Sequence, residues 1–322
     1  MSPVIRAGVG AMACVAYAVI RVSGPADMAW SHALLLFAAL VLVPLAIELL
    51  RDETEADFAA RWFKVIDWLQ SPAAFLLLVA CCLPVGVIPA ILAVPWLALT
   101  AMMAVIGVSR IRRNGLRRDL DGWCRDAALV FALVGGAWTL ADRAGLRPLN
   151  FEPAIITLTA VHFHYAGLLL PLFAGLVQRE LFFFRFASRA AVGVVLGVPA
   201  VALGIMATQL GFGSSFEAAG GCGLALAGMA VGILHVRIAS DGRQPIMTRA
   251  LLGIAGVSLF IAMVLAGLYA ARAFTTPFPG LGIPQMRLLH GTLNAVGFGL
   301  CGVLAWRGMN RSSAKPDRSS KA

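Results

Sequence analysis

The side chains with most chemistry to offer sit in one run, Thr159-Ala160-Val161-His162-Phe163-His164-Tyr165-Ala166-Gly167, inside a long apolar stretch. An imidazole takes up or gives back a proton near neutral pH, and a neighbouring phenol orients it or serves as its acid partner. Residues two apart on a helix point about 200° from one another, so His162 and His164 must serve different neighbours. His162 shares a face with Thr159 and Tyr165 at spacings of three, which predicts a hydrogen-bonded trio on that face. His164 then needs a partner from another helix.

A second run, His290-Gly291-Thr292-Leu293-Asn294-Ala295-Val296-Gly297-Phe298, leads on to Cys301. His290, Asn294, Gly297 and Cys301 recur at helical intervals and make one stripe of polar and small residues, a kind that faces protein or a cavity and not lipid. Counted from Pro153 at about 1.5 Å per residue, His162 and His164 lie roughly 13 to 17 Å along their helix, near the middle of a bilayer. Polar groups are costly at that depth, so His162, His164, Tyr165, His290 and Asn294 are the candidate substrate-binding residues. The plain alternative is that these groups only join helices through interhelical hydrogen bonds. Two dense clusters at compatible depths favour a pocket. His32, beside Trp30, and His235, beside Arg237, lie near helix ends and read as interfacial.

The segments VHFHYAG at Val161 to Gly167 and HGTLNAVGF at His290 to Phe298 resemble the YndJ-like family of bacterial integral membrane proteins, which is sometimes labelled as transporters. The resemblance implies that the two clusters belong together.

Three kinds of function fit these residues. Transport or binding of a small solute would use both clusters as the lining of one site, with a histidine coupling proton movement. A membrane-embedded enzyme on a lipid or isoprenoid would use an imidazole and Tyr165 as base and acid, with Asn294 holding a developing negative charge. Haem or a metal ion would be held by one histidine of the sixth span and His290 of the tenth. No phosphate-binding glycine loop, nucleophile elbow, HExxH or calcium-loop pattern occurs, so ATP-driven transport and standard hydrolases have no local support. Asp27, Asp142, Glu152 and Glu217 fall near outer helix ends and Glu48 and Asp126 near inner ends. No carboxylate is expected at mid-span.

The elements that must position these groups follow from composition. Hydrophobic residues make up 60% of the 322 and charged residues 13%, the balance of a chain whose solvent is lipid. Cys14, Cys81, Cys82, Cys222 and Cys301 fall within apolar runs with no CxxC spacing, and read as packing residues. About ten runs are long enough to cross a bilayer. They lie near Val4 to Ile20, Trp30 to Leu50, Pro72 to Leu83, Val87 to Val108, Asp126 to Ala141, Pro153 to Val177, Ala190 to Leu210, Ala218 to His235, Ala250 to Ala271 and Ile283 to Trp306. The first reads as an uncleaved span and not a signal peptide, because its charged flank is weak and the run continues to Ile20.

The expected fold is therefore an all-α transmembrane bundle in one domain, residues 1–306, with a basic, disordered tail at 307–322. Between the second and third spans, around 51–71, Phe58, Trp62, Val65, Ile66 and Leu69 predict an amphipathic segment lying along the membrane surface. Of the 26 lysines and arginines, 21 fall on the N-terminus, the C-terminal tail and alternate loops. The positive-inside rule then puts both termini in the cytoplasm and the protein in the inner membrane. Basic residues spread over short loops orient a membrane protein and do not suggest a nucleic-acid partner; the expected partners are the bilayer and a small-molecule or lipid substrate. In that orientation the helices bearing His162, His164 and His290 enter from outside, and the pocket between the sixth and tenth spans opens outward.

Overall fold

Hydrocarbon offers backbone groups no hydrogen-bond partner, so an apolar run must satisfy its own N–H and C=O groups, and the helix does this within one segment. The computed structural model describes residues 1–23, 28–52, 57–115, 119–275 and 279–313, and among them there is no strand. Ten helices are long and apolar enough to cross a membrane: α1 Pro3–Arg21, α2 Met28–Leu50, α3 Asp57–Cys82, α4 Val87–Asn114, α5 Leu120–Ala144, α6 Pro153–Glu180, α7 Arg185–Gln209, α8 Ser215–Ser240, α9 Ile246–Ala273 and α10 Ile283–Arg311. Local signals set several ends. Ser2 caps the Ile5 N–H and Pro3 opens α1, Pro153 opens α6, and Gly145 closes α5 in the left-handed conformation at φ 69°.

Successive helices pack as antiparallel neighbours, and α2 and α6 run through the middle. In each of these two helices 89% of the apolar window is enclosed by protein. Both are interrupted by a widened π turn, Ala38–Leu42 in α2 and Phe163–Leu169 in α6. Each π segment ends two residues before a proline, Pro44 or Pro171. A proline lacks the N–H and its ring crowds the carbonyl four residues back, here Leu40 or Gly167. Widening the turn relieves that crowding. The Val43 N–H reaches Ala38 O and the Leu170 N–H reaches Tyr165 O, five residues back in both. The tenth helix widens too, over Met286–Gly291 and Leu293–Leu300, and the π segments of α2, α6 and α10 meet one another.

One face of the bundle carries the start of α1 and the end of α10, and is called here the terminal face. There Arg6 pairs with Asp67 at 3.1 Å, Arg51 pairs with the same carboxylate, and Arg307 pairs with Glu48 at 2.6 Å.

Two boundaries differ from expectation. The surface segment and the short third span are one helix, α3, because the buried positions Ala59, Phe63, Ile66, Gln70, Ala73, Ala74 and Leu77 form a stripe that continues through Pro72. The stripe turns Phe58, Val65 and Leu69 outward, so they do not form a common face with Ile66. The helix of α10 also continues past Trp306, with Trp306 and Arg307 buried. Residues 314–322 of the expected tail, Asp27, Arg117 and Arg118 lie outside the described residues.

Candidate functional site

The sixth helix presents its two histidines to opposite neighbours. Nδ1–H of His164 donates to the carbonyl of Ala160 at 2.7 Å, and Nε2 accepts from the indole N–H of Trp96 on α4 at 3.0 Å. The rings stack at 5.7 Å. Both nitrogens are satisfied, so the imidazole sits fully buried in its neutral form. Close approach of α5 makes room: a Cβ at Gly135 would lie 2.9 Å from the His164 ring, and one at Gly136 would lie 2.1 Å from Thr100 Oγ1 on α4.

On the other side of α6, the ring of His162 stacks on that of His290 from α10, with centroids 6.1 Å apart and planes 26° from parallel. His162 donates Nδ1–H to Leu158 O at 2.7 Å, and His290 donates to Ala262 O of α9 at 2.8 Å. Each Nε2 is left as an acceptor. Asn294 donates to Nε2 of His290 at 3.2 Å and to its carbonyl at 2.8 Å. The His162 residue is exposed, and its Nε2 has no hydrogen-bond partner among the described residues.

The structure thus joins His162, His290 and Asn294, and separates them from His164 and Tyr165. The expected trio on α6 does not form. The Tyr165 hydroxyl donates to Leu34 O of α2 at 2.8 Å, and Thr159 donates to Ile155 O at 2.7 Å. A carbonyl one turn back takes each hydroxyl or ring N–H that lies within reach of it, before side chains on the same face can pair.

Of the two histidines expected at the interface, His235 is inside the bundle and His32 is half-buried at one face. His235 is fully buried, with Nδ1–H on Val231 O at 2.9 Å and Nε2 accepting from Trp306 at 3.2 Å, enclosed by Phe173 and Phe298. It repeats the hydrogen bonding of His164 and Trp96, with the rings edge-on at 80° and not stacked. His32, with 13% of its side chain exposed, joins a polar cluster at the face opposite the termini. Its Nε2 lies 3.0 Å from Oδ2 of Asp142 and 2.8 Å from Nη2 of Arg143. The same Oδ2 accepts from Arg143 Nε at 2.7 Å, and Oδ1 accepts from Thr157 of α6 at 2.5 Å.

Asp142 was expected near a helix end, and it is in the last turn of α5, but at 8% exposure it is an interior carboxylate. The signal was present in the sequence: Asp142 and Arg143 are adjacent and opposite in charge, and His32 and Thr157 lie near the starts of helices that enter from that same face. A fully buried pair also stands toward the terminal face, Arg110 with Asp126 at 3.5 Å.

Two surface cavities lie apart from all the histidines. One, of about 220 Å³, is lined by Ser214, Glu217 and Arg272, and the other, of about 310 Å³, by Asp57, Arg61 and Lys64. In the turn after α8 a hydrogen bond from Arg243 holds the Asp241 carboxyl below its ordinary range. Among the described residues no three His, Cys, Asp or Glu side chains are grouped as metal ligands would be, and the six cysteines are free.

A family model described as YndJ-like protein matches residues 33–298. A protein of Bacillus subtilis (strain 168), named "Uncharacterized membrane protein YndJ", is 27% identical over 288 residues, covering 87% of this chain and 49% of that protein. The chain spans about half the length of that curated relative. No solved structure matches it.

Proposed function

The chain belongs to the YndJ-like family and is a membrane protein with many candidate spans; from that premise we propose that it binds a small solute within the bundle and carries it across the membrane. The solute is contacted by His162, His290 and Asn294. His164 and Tyr165 are positioning residues that tie α6 to α4 and α2. In the proposed orientation the terminal face is cytoplasmic, the membrane is the inner one, and the solute site opens toward the outside.

One observation carries this reading. Two imidazoles from different spans are stacked on one another part-way along their helices, and the exposed ring, His162, keeps an acceptor nitrogen with no partner among the described residues. Groups placed only to join helices would be consumed by one another, as His164 and Trp96 are. With both Nδ1 atoms committed to carbonyls and Nε2 of His290 taken by Asn294, the site offers one open acceptor, Nε2 of His162, so it suits a solute that brings a donor, such as a hydroxyl, an amide or a protonated amine. The enzyme reading loses its acid, because the Tyr165 hydroxyl is committed to α2.

The test starts with a thermal-shift panel of amine- and hydroxyl-bearing solutes on the solubilised full chain, followed by uptake of the stabilising compounds into proteoliposomes. His162→Ala is expected to weaken binding about tenfold or more, the loss of roughly 1.4 kcal/mol. Wild-type uptake by that variant overturns the proposal.

A further inference from the structure

Among the five histidines, four have Nδ1 fixed on a backbone carbonyl, those of residues 158, 160, 231 and 262. His32 has no such tie among the described residues. Its Nε2 faces a carboxylate oxygen and a guanidinium nitrogen together, 3.0 Å from Asp142 and 2.8 Å from Arg143. These neighbours make opposite demands. A bare Nε2 accepts from Arg143 and turns its lone pair toward the carboxylate. A protonated Nε2 donates to Asp142 and meets the Arg143 N–H donor to donor.

We propose that His32, Asp142 and Arg143 form a proton-binding site at the face opposite the termini, in which His32 exchanges Arg143 for Asp142 when it gains a proton. The step balances simply. A hydronium ion of the adjoining solvent loses a proton, its O–H bond breaking to leave water as the Nε2–H bond forms; the Arg143 to Nε2 hydrogen bond is given up, the Nε2–H to Oδ2 hydrogen bond replaces it, and the cluster goes from neutral to a charge of +1. Asp142 stays anchored throughout, since Thr157 holds Oδ1 and Arg143 Nε holds Oδ2.

What moves is the Arg143 Nη2 corner. The opposite corner of that guanidinium, Nη1, reaches Ala80 O of α3 at 3.4 Å, and the Arg143 carbonyl accepts from the Gly86 N–H at the start of α4. One proton therefore acts on a joint shared by α2, α3, α5 and α6. Among the described residues the other titratable or charged groups around the joint include Tyr17 and Arg21 on α1 and Cys81 and Cys82 on α3, and Arg287 on α10 stands against the start of α2. Arg287 reaches α2 through Met28 Sδ at 3.0 Å and through the Trp30 indole, which donates to its carbonyl. None of these described groups is a carboxylate. The site is distinct from the His162 pair, and its role as the coupling site for solute movement rests on the transport reading above.

The test needs no solute. Full-length protein with 15N-labelled histidine is placed in nanodiscs, and the ring nitrogens are compared at about pH 8 and about pH 5.5, the interval in which histidine changes charge. The His32 signal, identified by its loss in His32→Gln, is expected to pass from one protonated nitrogen to two. The change is expected to be lost in Asp142→Asn, a substitution of the same shape. A His32 signal that keeps one protonation state across the interval in the wild type overturns the site without recourse to any variant. So does an unchanged response in Asp142→Asn.

Uptake driven by a pH gradient separates the two proposals. Loss of driven uptake in His32→Gln, with binding of the solute kept, supports coupling. Uptake that depends on His162 and ignores His32 removes the coupling role. A His32 response with no solute uptake at all sustains the proton site and removes the transport reading.

Discussion

A buried histidine is tolerable only when both ring nitrogens are occupied, and His164 and His235 achieve this in the same way. The carbonyl four residues back takes Nδ1–H, and an indole N–H from a distant helix closes Nε2. Removing one partner strands the other in a place water does not reach. Trp96→Phe and His164→Leu are each expected to lower stability by about 1–2 kcal/mol, less than in a soluble core because an unfolded state within lipid also finds partners. The double variant is expected to lose less than the sum of the two. Reversible unfolding in mixed micelles measures all three, and strict additivity would show that the pair does not act as a unit. That His162 and His164 part company was legible from helix geometry alone. His290 is likewise grouped with the sixth span by its sequence, but the indole that closes His164 is not legible there, because Trp96 comes from a helix whose rotation about its own axis is set by packing. The phenol of Tyr165 was misassigned for a related reason: the Leu34 carbonyl of α2 is a tertiary neighbour that spacing along α6 does not reveal.

Helices in lipid gain no hydrophobic advantage from touching, so they associate where small residues let backbones come close. Gly135 and Gly136 give α5 that property on the side where it meets α6 and α4. At Gly136 a Cβ would meet Thr100 Oγ1 at 2.1 Å, and that hydroxyl is itself tied to Leu97 O at 2.9 Å. Gly136→Ala is expected to cost about 1–3 kcal/mol through overpacking, and Thr100→Ala in the same chain to return most of it by deleting the opposing atom. Failure of the second substitution to rescue the first, in the same unfolding measurement, would mean that α5 can shift and that the contact is not a fixed point of the bundle. Helix existence was legible throughout from hydropathy, since a run of apolar residues in lipid has no other way to satisfy its backbone. Helix continuity was less so. Pro72 reads locally as a start, and only the buried stripe from Phe63 to Leu77 shows that α3 passes through it. The π turns before Pro44 and Pro171 are readable in retrospect, because each proline had to be relieved somewhere in the preceding turn.

At the scale of the molecule the arginines of the terminal face serve two purposes that are separable in time. In the folded bundle three of them complete the end of α2, with Arg307 donating to Leu45 O at 2.8 Å, Arg110 to Leu50 O at 3.1 Å and Arg125 to Arg51 O at 3.0 Å. The Leu50 and Arg51 carbonyls are among those that a helix end leaves without partners, at the pole where cations are favoured, and Leu45 O lies one turn before them. Carboxylates balance them locally, Asp126 for Arg110, Asp121 for Arg125 and Glu48 for Arg307. During insertion none of those pairings exists yet, and the positive-inside rule counts lysine and arginine with little credit to acids. In the proposed orientation the 21 basic residues of the N-terminus, the tail and alternate loops act on insertion at nearly full weight, even though Arg110, Arg125 and Arg307 end up paired and buried. A fluorescent protein fused after Ser313 is accordingly expected to fold and fluoresce, and alkaline phosphatase at the same place to be inactive. Inserted in the α7–α8 turn, between Gly211 and Ser214 at the opposite face, the two reporters are expected to exchange behaviour. Active phosphatase after Ser313 would invert the molecule and with it the side to which both His32 and the His162 pair are open. The same two fusions in a chain carrying Arg112→Gln, Arg113→Gln, Arg117→Gln and Arg118→Gln are expected to give mixed signals, because the densest basic loop is then the one disarmed.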